Sequence, residues 1–271
     1  MTRPEAQLTI QLQELALDAA GQAAALVGQA TGEARDVDKT KSSISDLVTQ
    51  TDEAAERLLV DRLLAARPDD GVFGEEGASV AGTSGVRWIL DPIDGTTNFV
   101  YDHPGYAISV AAEVEGVMTV GVVIDVKAKD TYRATLGGGA FCNSDPIGVG
   151  SASELSRSLI ATGFNYRPEV RAHQASVIAE LLGELADIRR MGSCALDLCS
   201  VASGRVDGYF ERGVQPWDHA AGALIAAEAG AVVENLDGTA PDNSMCLAAN
   251  PNLFRVLKDR LVALDADALS R

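Results

Sequence analysis

Apolar positions near the start of the chain are spaced as on one face of a helix. This spacing predicts an amphipathic helix over about residues 5–28. Residues 31–41 are polar and charged, which predicts a loop. A second helical face follows and ends before Pro68, because the residue before a proline disfavours the helical conformation. The positions that define the two faces are Leu8, Leu12, Leu15, Ala19, Ala23, Leu26, Ala55, Leu58, Leu59 and Leu63.

The middle of the chain is rich in Val and Ile and predicts strands. Residues 71–77 are too few and too glycine-rich for a helix, so we expect a strand that ends in two acids. Residues 106–114 and 117–126 meet at a Glu-Gly turn, which indicates a hairpin, and residues 131–136 predict a third strand. Together these segments predict an antiparallel meander.

From about residue 150, short apolar strands alternate with helical patterns, which predicts a layered α/β unit. We expect two units, 1–150 and 151–271, that share a cleft. The expected strands are 159–162, 188–191, 208–211, 232–234 and 246–248, and the expected helices are 169–186, 194–204, 218–229 and 251–264.

Charge and composition narrow the classes of function. The 271 residues carry a formal net charge of −17, so a nucleic acid or an anionic membrane would repel this protein. No apolar run approaches the roughly 20 residues of a membrane span, and the first residues lead into a helix rather than a secretion signal. We therefore expect a cytoplasmic protein without nucleic-acid or membrane partners.

Sulfur and imidazole side chains do not predict a metal site. The four cysteines form no C-x-x-C pair and have no neighbouring histidine, so reduced thiols are expected instead of zinc. His103, His173 and His219 lack metal-ligand spacing, and a structural role is predicted for them. The sequence also lacks a G-x-x-x-x-G-K-[ST] phosphate loop and a G-x-S-x-G nucleophile elbow.

Two acids close an apolar stretch near the middle of the chain. Trp88, Ile89 and Leu90 run into Asp91, and Asp94 follows three positions later. No basic residue stands within three positions of either acid in sequence, so burying these carboxylates would be costly unless a divalent cation bound there. An Asx turn around the intervening proline is the alternative explanation. The acids that together favour a metal site are Glu75, Glu76, Asp91, Asp94 and Asp218.

Helix starts supply further candidates. Gly95-Thr96-Thr97 offers consecutive backbone N–H groups and predicts either a phosphate site or an ordinary helix N-cap. Asp52 and Asp218 each begin a predicted helix, and an N-cap is the simplest interpretation of either acid alone. An acidic protein that handles phosphate esters needs metal ions or helix N-termini to offset its charge.

The chain resembles the inositol monophosphatase family of Mg²⁺-dependent, lithium-sensitive phosphatases. The matching segments are 41–52, 74–76, 88–99 and 217–230, in the order of the family and over most of the chain. The resemblance implies an α/β (α+β) fold, a five-layer αβαβα sandwich of the type shared with fructose-1,6-bisphosphatase. It also implies a homodimer, which is usual in the family.

The resemblance assigns roles to residues of this sequence. It implies two or three Mg²⁺ ions per active site and hydrolysis of a phosphate monoester by a metal-activated water. The implied metal ligands are Glu75, Glu76, Asp91, the Ile93 carbonyl, Asp94 and Asp218. The implied catalytic residues are Asp52, Thr96 and Glu75, with Asp52 and Thr96 orienting and deprotonating the water. The implied substrate-binding residues are Asp94, Gly95, Thr96, Thr97, Cys194, Glu211 and Asp218, with Lys41 on the phosphate side.

The leaving alcohol is the least determined part of this expectation. Glu211 lies seven residues before Asp218, where the family has the acid that binds inositol hydroxyls, and this favours myo-inositol monophosphate. Cys194 stands where the family often has Ala, and residues 163–167 resemble its bacterial members. Histidinol phosphate, fructose 1,6-bisphosphate and 3′-phosphoadenosine phosphates are the alternative substrates of related enzymes.

Two functional hypotheses outside the family remain. A phosphatase of the haloacid dehalogenase type also has acids before Gly-Thr, but it needs D-x-D, whereas Asp91 and Asp94 are separated by two residues. The second hypothesis is a non-catalytic scaffold that binds a partner. Loss of ligand acids would support it, but every expected acid is present.

Overall fold

The computed structural model describes residues 6–30, 39–40 and 47–268. The helices in these ranges are α1 (Ala6–Ala30), α2 (Gln50–Ala66), α3 (Thr96–Val100), α4 (Pro168–Leu181), α5 (Cys194–Ala202), α6 (Pro216–Glu228) and α7 (Pro251–Ala263), with a 3₁₀ turn at Leu155–Arg157. The strands are β1 (Lys39–Thr40), β2 (Leu47–Val48), β3 (Gly71–Gly74), β4 (Ser79–Val80), β5 (Val86–Asp94), β6 (Ala107–Val114), β7 (Val117–Asp125), β8 (Thr131–Thr135), β9 (Gly139–Cys142), β10 (Asp145–Pro146), β11 (Leu159–Thr162), β12 (Asp187–Arg189), β13 (Gly208–Glu211), β14 (Val232–Glu234) and β15 (Cys246–Ala249).

The first large sheet has the strand order β10-β9-β8-β7-β6-β5-β3-β4. Strands β6 to β9 pair antiparallel in succession, which confirms the predicted meander. Strand β3 is parallel to β5, with Gly74 opposite Leu90. The acids that follow β3 therefore lie near the acids at the end of β5, because parallel neighbours end at the same edge of a sheet.

The second sheet has the order β12-β11-β13-β15-β14. Strand β11 is parallel to both β12 and β13, whereas β15 is antiparallel to both β13 and β14. Helices α4 and α5 lie in the chain between the parallel strands β11, β12 and β13, as such connections require. The alternation of strands and helices predicted after residue 150 is confirmed.

The sheets and helices stack in five layers. Helices α1 and α2 cover one face of the first sheet, α5 and α6 lie between the two sheets, and α4 and α7 cover the outer face of the second. This order confirms the αβαβα sandwich. The buried face of α1 consists of Leu12, Ala16, Ala19, Ala20, Ala23 and Val27. Most of these side chains are small, so the helix can lie close to the sheet.

Several boundaries differ from the expectation. The helix predicted over 169–186 ends at Leu181, because Gly183 follows and glycine disfavours a helix interior. Of the predicted loop 31–41, only residues 39–40 are described, and they pair with β2. No helix in the described ranges is long and apolar enough to cross a bilayer. The division into units 1–150 and 151–271 stays a prediction.

Candidate active site

Two neighbouring strand ends bring the first pair of acids together. The N–H of Glu75, the residue after β3, donates to the carbonyl of Leu90 in β5 at 3.2 Å. Glu75 therefore stands beside Asp91, and the two carboxyl groups share a hydrogen bond. The parallel pairing of β3 with β5 is what joins residues that are separated along the chain.

A β-bulge aligns the two acids of β5. Asp91 pairs with Ser109 and Asp94 with Ala107, so three residue steps along β5 match two steps along β6. In a regular strand, residues three positions apart face opposite sides, and the extra residue of a bulge reverses that alternation. Asp91 also accepts the N–H of Ile93 at 3.0 Å, so the predicted Asx turn is present together with the cluster of acids.

Asp94 is fixed by the start of α5. One of its carboxylate oxygens accepts the Ser193 hydroxyl and the Ala195 N–H, each at 2.6 Å. The N–H of Cys194 also donates to this carboxylate. The positive end of the helix dipole favours an anion at this place. Asp94 consequently joins the edge of the first sheet to the helix layer between the sheets.

The two acids at helix starts lie within the first turn of their helices and not at the N-cap position, so the interpretation of both as N-caps is wrong. The N-cap of α2 is Thr49, with Asp52 as the third helical residue, and the N-cap of α6 is Gln215, with Asp218 as the third. Each acid closes a capping box by accepting the N–H of its N-cap residue, at 2.9 Å for Asp52 and 2.6 Å for Asp218.

Gly95 and Thr96 connect the end of β5 to α2. Gly95 is the N-cap of α3 in the left-handed conformation, at φ 95° and ψ 37°. The Thr96 hydroxyl lies 3.2 Å from a carboxylate oxygen of Asp52 and 3.0 Å from the carbonyl oxygen of Ile93. Thr49 donates to the same Asp52 carboxylate. A helix start is confirmed after Gly95, and it places the hydroxyl of Thr96 against Asp52.

Burial and mutual repulsion perturb the clustered acids. Burial, followed by the charges of Glu75, Asp94 and Asp218, raises the pKa of Asp91 well above its usual value. Burial and the charges of Glu75 and Asp94 likewise raise the pKa of Asp218. Burial raises the pKa of Asp94 to about 6, against the hydrogen bond from Ser193. A divalent cation among these groups would reverse their repulsion.

The donor set fits a hard cation, which takes oxygen ligands. The clustered carboxylates repel one another, and a cation is the group that such an arrangement attracts. Within the described ranges, however, no three His, Cys, Asp or Glu side chains stand close enough to enclose an ion by themselves. Mg²⁺ usually keeps several waters when it binds to protein carboxylates, so an incomplete protein shell is compatible with this ion.

The acids line a cavity of about 400 Å³. Glu211 stands at the end of β13, where it accepts the Tyr209 hydroxyl at 2.9 Å. Burial raises the pKa of Glu211 to about 7, although the Tyr209 hydrogen bond opposes the shift. The predicted site residues that line the cavity are Glu75, Asp91, Ile93, Asp94, Gly95, Thr96, Cys194, Glu211 and Asp218.

The other predicted residues lie elsewhere. Asp52 is fully buried behind Thr96 and does not line the cavity. Thr97 is half-buried in α3 and is also not part of the lining. Glu76 lines a separate surface groove next to α2, although its charge contributes to the raised pKa of Asp52. Lys41 falls outside the described residues.

Sequence reasoning missed the cations around the cavity. Arg167, Arg190 and Arg212 line it, and the charge of Arg190 lowers the pKa values of Asp94 and Glu211. No local signal marks Arg190, because it lies in a loop that only the fold brings to the acids. Ser193 was also missed, although a serine before an apolar helix is a recognisable N-cap.

The αβαβα sandwich and its acid-lined cavity define the class of phosphatases that the sequence resembles. The pattern of the inositol monophosphatase family matches residues 8–267, and the chain belongs to that family. This membership makes it a phosphoric monoester hydrolase. The family is generally metal-dependent.

Individual relatives agree with this placement. The inositol-1-monophosphatase SuhB of Mycobacterium tuberculosis is 45% identical over 250 residues, which cover 86% of each chain. The solved structure of Mycobacterium tuberculosis SuhB has a TM-score of 0.82 at 41% identity and covers 96% of this chain and 98% of that one. The Nus factor SuhB of Escherichia coli strain K12 is 37% identical over 241 residues, 87% of this chain and 90% of the relative.

Proposed function

We propose that the protein hydrolyses a phosphate monoester in a Mg²⁺-dependent reaction, with myo-inositol monophosphate as its substrate. The proposal rests on one arrangement. Four acids face the same cavity, and Thr96, which lines that cavity, contacts the buried Asp52 carboxylate through its hydroxyl. The four acids are Glu75, Asp91, Asp94 and Asp218. The relative from Mycobacterium tuberculosis named inositol-1-monophosphatase supports the choice of alcohol.

The clustered acids would hold the metal. We assign Glu75, Asp91, Asp94, Asp218 and the Ile93 carbonyl to Mg²⁺. Glu76 lines the separate groove beside α2, so its place near a weaker additional ion stays a prediction. Bound Mg²⁺ would offset the phosphate charge and lower the pKa of a water molecule. The number of ions, two or three, and the inhibition by Li⁺ stay predictions.

Asp52 and Thr96 would handle the proton of the attacking water. Burial raises the pKa of Asp52 to about 6, close enough to neutrality for a proton acceptor that works at physiological pH. The single proton of the Thr96 hydroxyl can be donated to Asp52 or to the Ile93 carbonyl. When it is donated to Asp52, the oxygen lone pairs of Thr96 can accept a hydrogen bond from water. The N–H groups of Gly95 and Thr96 are assigned to the phosphate.

The opposite wall would bind the leaving alcohol. Glu211 lines the cavity and can accept hydrogen bonds from the hydroxyl groups of a polyol. The volume of about 400 Å³ lies within the range of small-molecule sites. The Cys194 N–H already donates to Asp94, so it is not assigned to the alcohol. We assign the contact of Cys194 with the alcohol to the other atoms of this residue, which lines the cavity.

The test is a phosphate-release panel with and without Mg²⁺. The substrates are myo-inositol monophosphate, histidinol phosphate, fructose 1,6-bisphosphate and a 3′-phosphoadenosine phosphate, and each is repeated with Li⁺. We expect the highest kcat/KM on the inositol ester and no release without a divalent cation. Equal rates on all four esters would refute the substrate assignment, and full activity in a chelator would refute the metal assignment.

The variant Glu211→Gln separates the substrate assignment from the chemistry. We expect this variant to lose kcat/KM on the inositol ester while it still hydrolyses a small aryl phosphate. The exposed residue Glu180 on α4 supplies the matched control, because Glu180→Gln removes the same charge far from the cavity. An equal loss on both esters would show that Glu211 does not recognise the alcohol.

A homodimer is part of the proposal. An apolar hollow of about 720 Å³ on α6 and the first sheet offers a surface for a second copy, with Met118, Ala223 and Ala227 in its lining. Light scattering after gel filtration should give twice the chain mass. The exposed residue Ala227 tests the surface: Ala227→Glu should yield monomers, whereas Ala172→Glu at an exposed position of α4 should not. Dimers of the Ala227 variant would exclude this surface.

A partner-binding role is the second candidate, favoured by the relative from Escherichia coli that is named a Nus factor. It would coexist with catalysis or replace it. A stoichiometric partner in a pull-down, together with no Mg²⁺-dependent phosphate release, would favour replacement. The cytoplasmic location and the absence of nucleic-acid partners stay predictions.

A further inference from the structure

Glu56 is a buried acid that the catalytic assignments leave without a role. It lies on α2 one turn after Asp52, and its side chain is only 6% exposed. Its two carboxylate oxygens accept the N–H groups of Glu76 and Ala78, at 2.8 and 2.9 Å. Hydrogen bonds to a charged acceptor are roughly twice as strong as neutral ones, so these two contacts hold the backbone firmly.

The backbone held by Glu56 is the turn between β3 and β4. This turn is closed by a hydrogen bond from the Gly74 N–H to the Ala78 carbonyl at 2.7 Å. Glu75 lies inside it, between the pairing of β3 with β5 and the two contacts to Glu56. The orientation of Glu75 toward Asp91 therefore depends on a turn that is fixed from both sides.

Gly74 shows how closely the carboxylate fits. A Cβ atom on Gly74 would lie 2.2 Å from Glu56 Oε2 and 2.9 Å from its carboxyl carbon. Gly74 has no positive φ, so glycine is needed here for space and not for an unusual backbone conformation. The Glu56 carboxylate thus occupies a recess that any side chain on Gly74 would fill.

Helix α2 presents Asp52 and Glu56 on the same face, since residues four apart are neighbours on a helix. Asp52 contacts Thr96 and Glu56 contacts the turn that carries Glu75. We propose that Glu56 is a positioning residue that orients Glu75 for metal binding, and that α2 thereby aligns the proton acceptor with the metal ligands. This inference rests on the proposed Mg²⁺-dependent function.

The test compares Glu56→Gln with Asp61→Asn. The amide of the Gln variant presents an NH₂ group to one of the two N–H donors, so one contact is lost while size is kept. Asp61 is exposed in the same groove, and its substitution removes one charge there without touching the turn. Mg²⁺ binding is measured by calorimetry, and phosphate release is measured over a Mg²⁺ titration.

We expect Glu56→Gln to weaken Mg²⁺ binding by about 10–100-fold, the range found when outer-shell partners of a metal ligand are removed. The kcat at saturating Mg²⁺ should fall much less, because the reacting groups remain. Asp61→Asn should bind Mg²⁺ within about twofold of the wild type. Equal Mg²⁺ affinities for Glu56→Gln and Asp61→Asn would overturn the proposal.

Gly74→Ala provides an independent route if Glu56→Gln does not fold. The added methyl group displaces the Glu56 carboxylate without changing any charge, so the same loss of Mg²⁺ affinity is expected. Unchanged affinity in a folded Gly74→Ala protein would overturn the proposal as well. Failure of the proposed function is recognised separately, because in that case the wild type itself would neither bind Mg²⁺ nor release phosphate.

Discussion

The Thr96 hydroxyl and the Asp52 carboxylate meet at 3.2 Å, although the two residues are 44 positions apart along the chain. This contact joins the start of α3 to the first turn of α2. Asp52 also accepts from Thr49, yet burial outweighs these hydrogen bonds and raises its pKa to about 6. The pair is therefore a buried acid with a single hydroxyl between it and the cavity.

Thr96→Ala should lower kcat by about 10²–10⁴-fold, the usual contribution of general acid–base catalysis. KM should change little, because the methyl group and the backbone N–H remain. Thr96→Ser keeps the hydroxyl and should retain most of the activity. Steady-state kinetics on the preferred ester provide the measurement, and equal losses in the Ala and Ser variants would contradict a role for the hydroxyl.

Asp91→Asn should abolish most activity and yet stabilise the metal-free protein. The substitution removes a buried charge that is repelled by Glu75, Asp94 and Asp218. We expect at least a 100-fold loss in kcat, on the order of the several kcal/mol that a metal supplies. Thermal melts in EDTA should show a higher Tm than wild type, and added Mg²⁺ should raise it less. Wild-type activity in this variant would refute the metal assignment.

Glu211→Gln should change the pH dependence of stability. Burial raises the pKa of Glu211 from 4.5 to about 7 in the folded protein, so the folded state binds the proton more tightly than the unfolded state. The stabilisation that the raised pKa of Glu211 gives the folded state is fully present below about pH 4.5, and it is lost as the pH rises through 7.

Melts of the two proteins in EDTA should therefore differ more at pH 8 than at pH 5, with Glu211→Gln the more stable at pH 8. The control Glu180→Gln changes an exposed carboxylate on α4 and should give no such pH-dependent difference. A constant difference between wild type and Glu211→Gln from pH 5 to 8 would show that Glu211 does not titrate in this range.

Gly95→Ala should destabilise the protein and remove activity. Gly95 has φ 95°, and its Cβ would lie 2.8 Å from the Gly105 carbonyl oxygen. A strained backbone of this kind costs about 1–3 kcal/mol, and relief would move Asp94 and Thr96 on either side. The control is Gly21→Ala in α1, where nothing lies within 4 Å of the new methyl group. Urea unfolding should show a lower free energy of unfolding for Gly95→Ala and a slightly higher one for Gly21→Ala.

Much of the fold could be predicted because its signals are local. The meander from β6 to β8 follows from Val- and Ile-rich runs separated by a short turn, and α1 follows from its apolar spacing. The apolar pattern continues through Leu182 and Leu185 and predicts a helix to residue 186, whereas α4 ends at Leu181. The low helix propensity of Gly183 sets this boundary, and the spacing of apolar residues carries no information about helix propensity.

The amino-acid sequence alone predicts which acids stand at strand ends and helix starts, because those positions depend on short-range patterns. It did not determine that Asp91 and Asp94 face the same side, since that follows from a bulge against β6. The contact of Glu56 with the turn that carries Glu75, and the position of Arg190 facing the acids, are visible only in the folded structure. These contacts join segments far apart in the chain, and their formation depends on packing between layers rather than on any local preference.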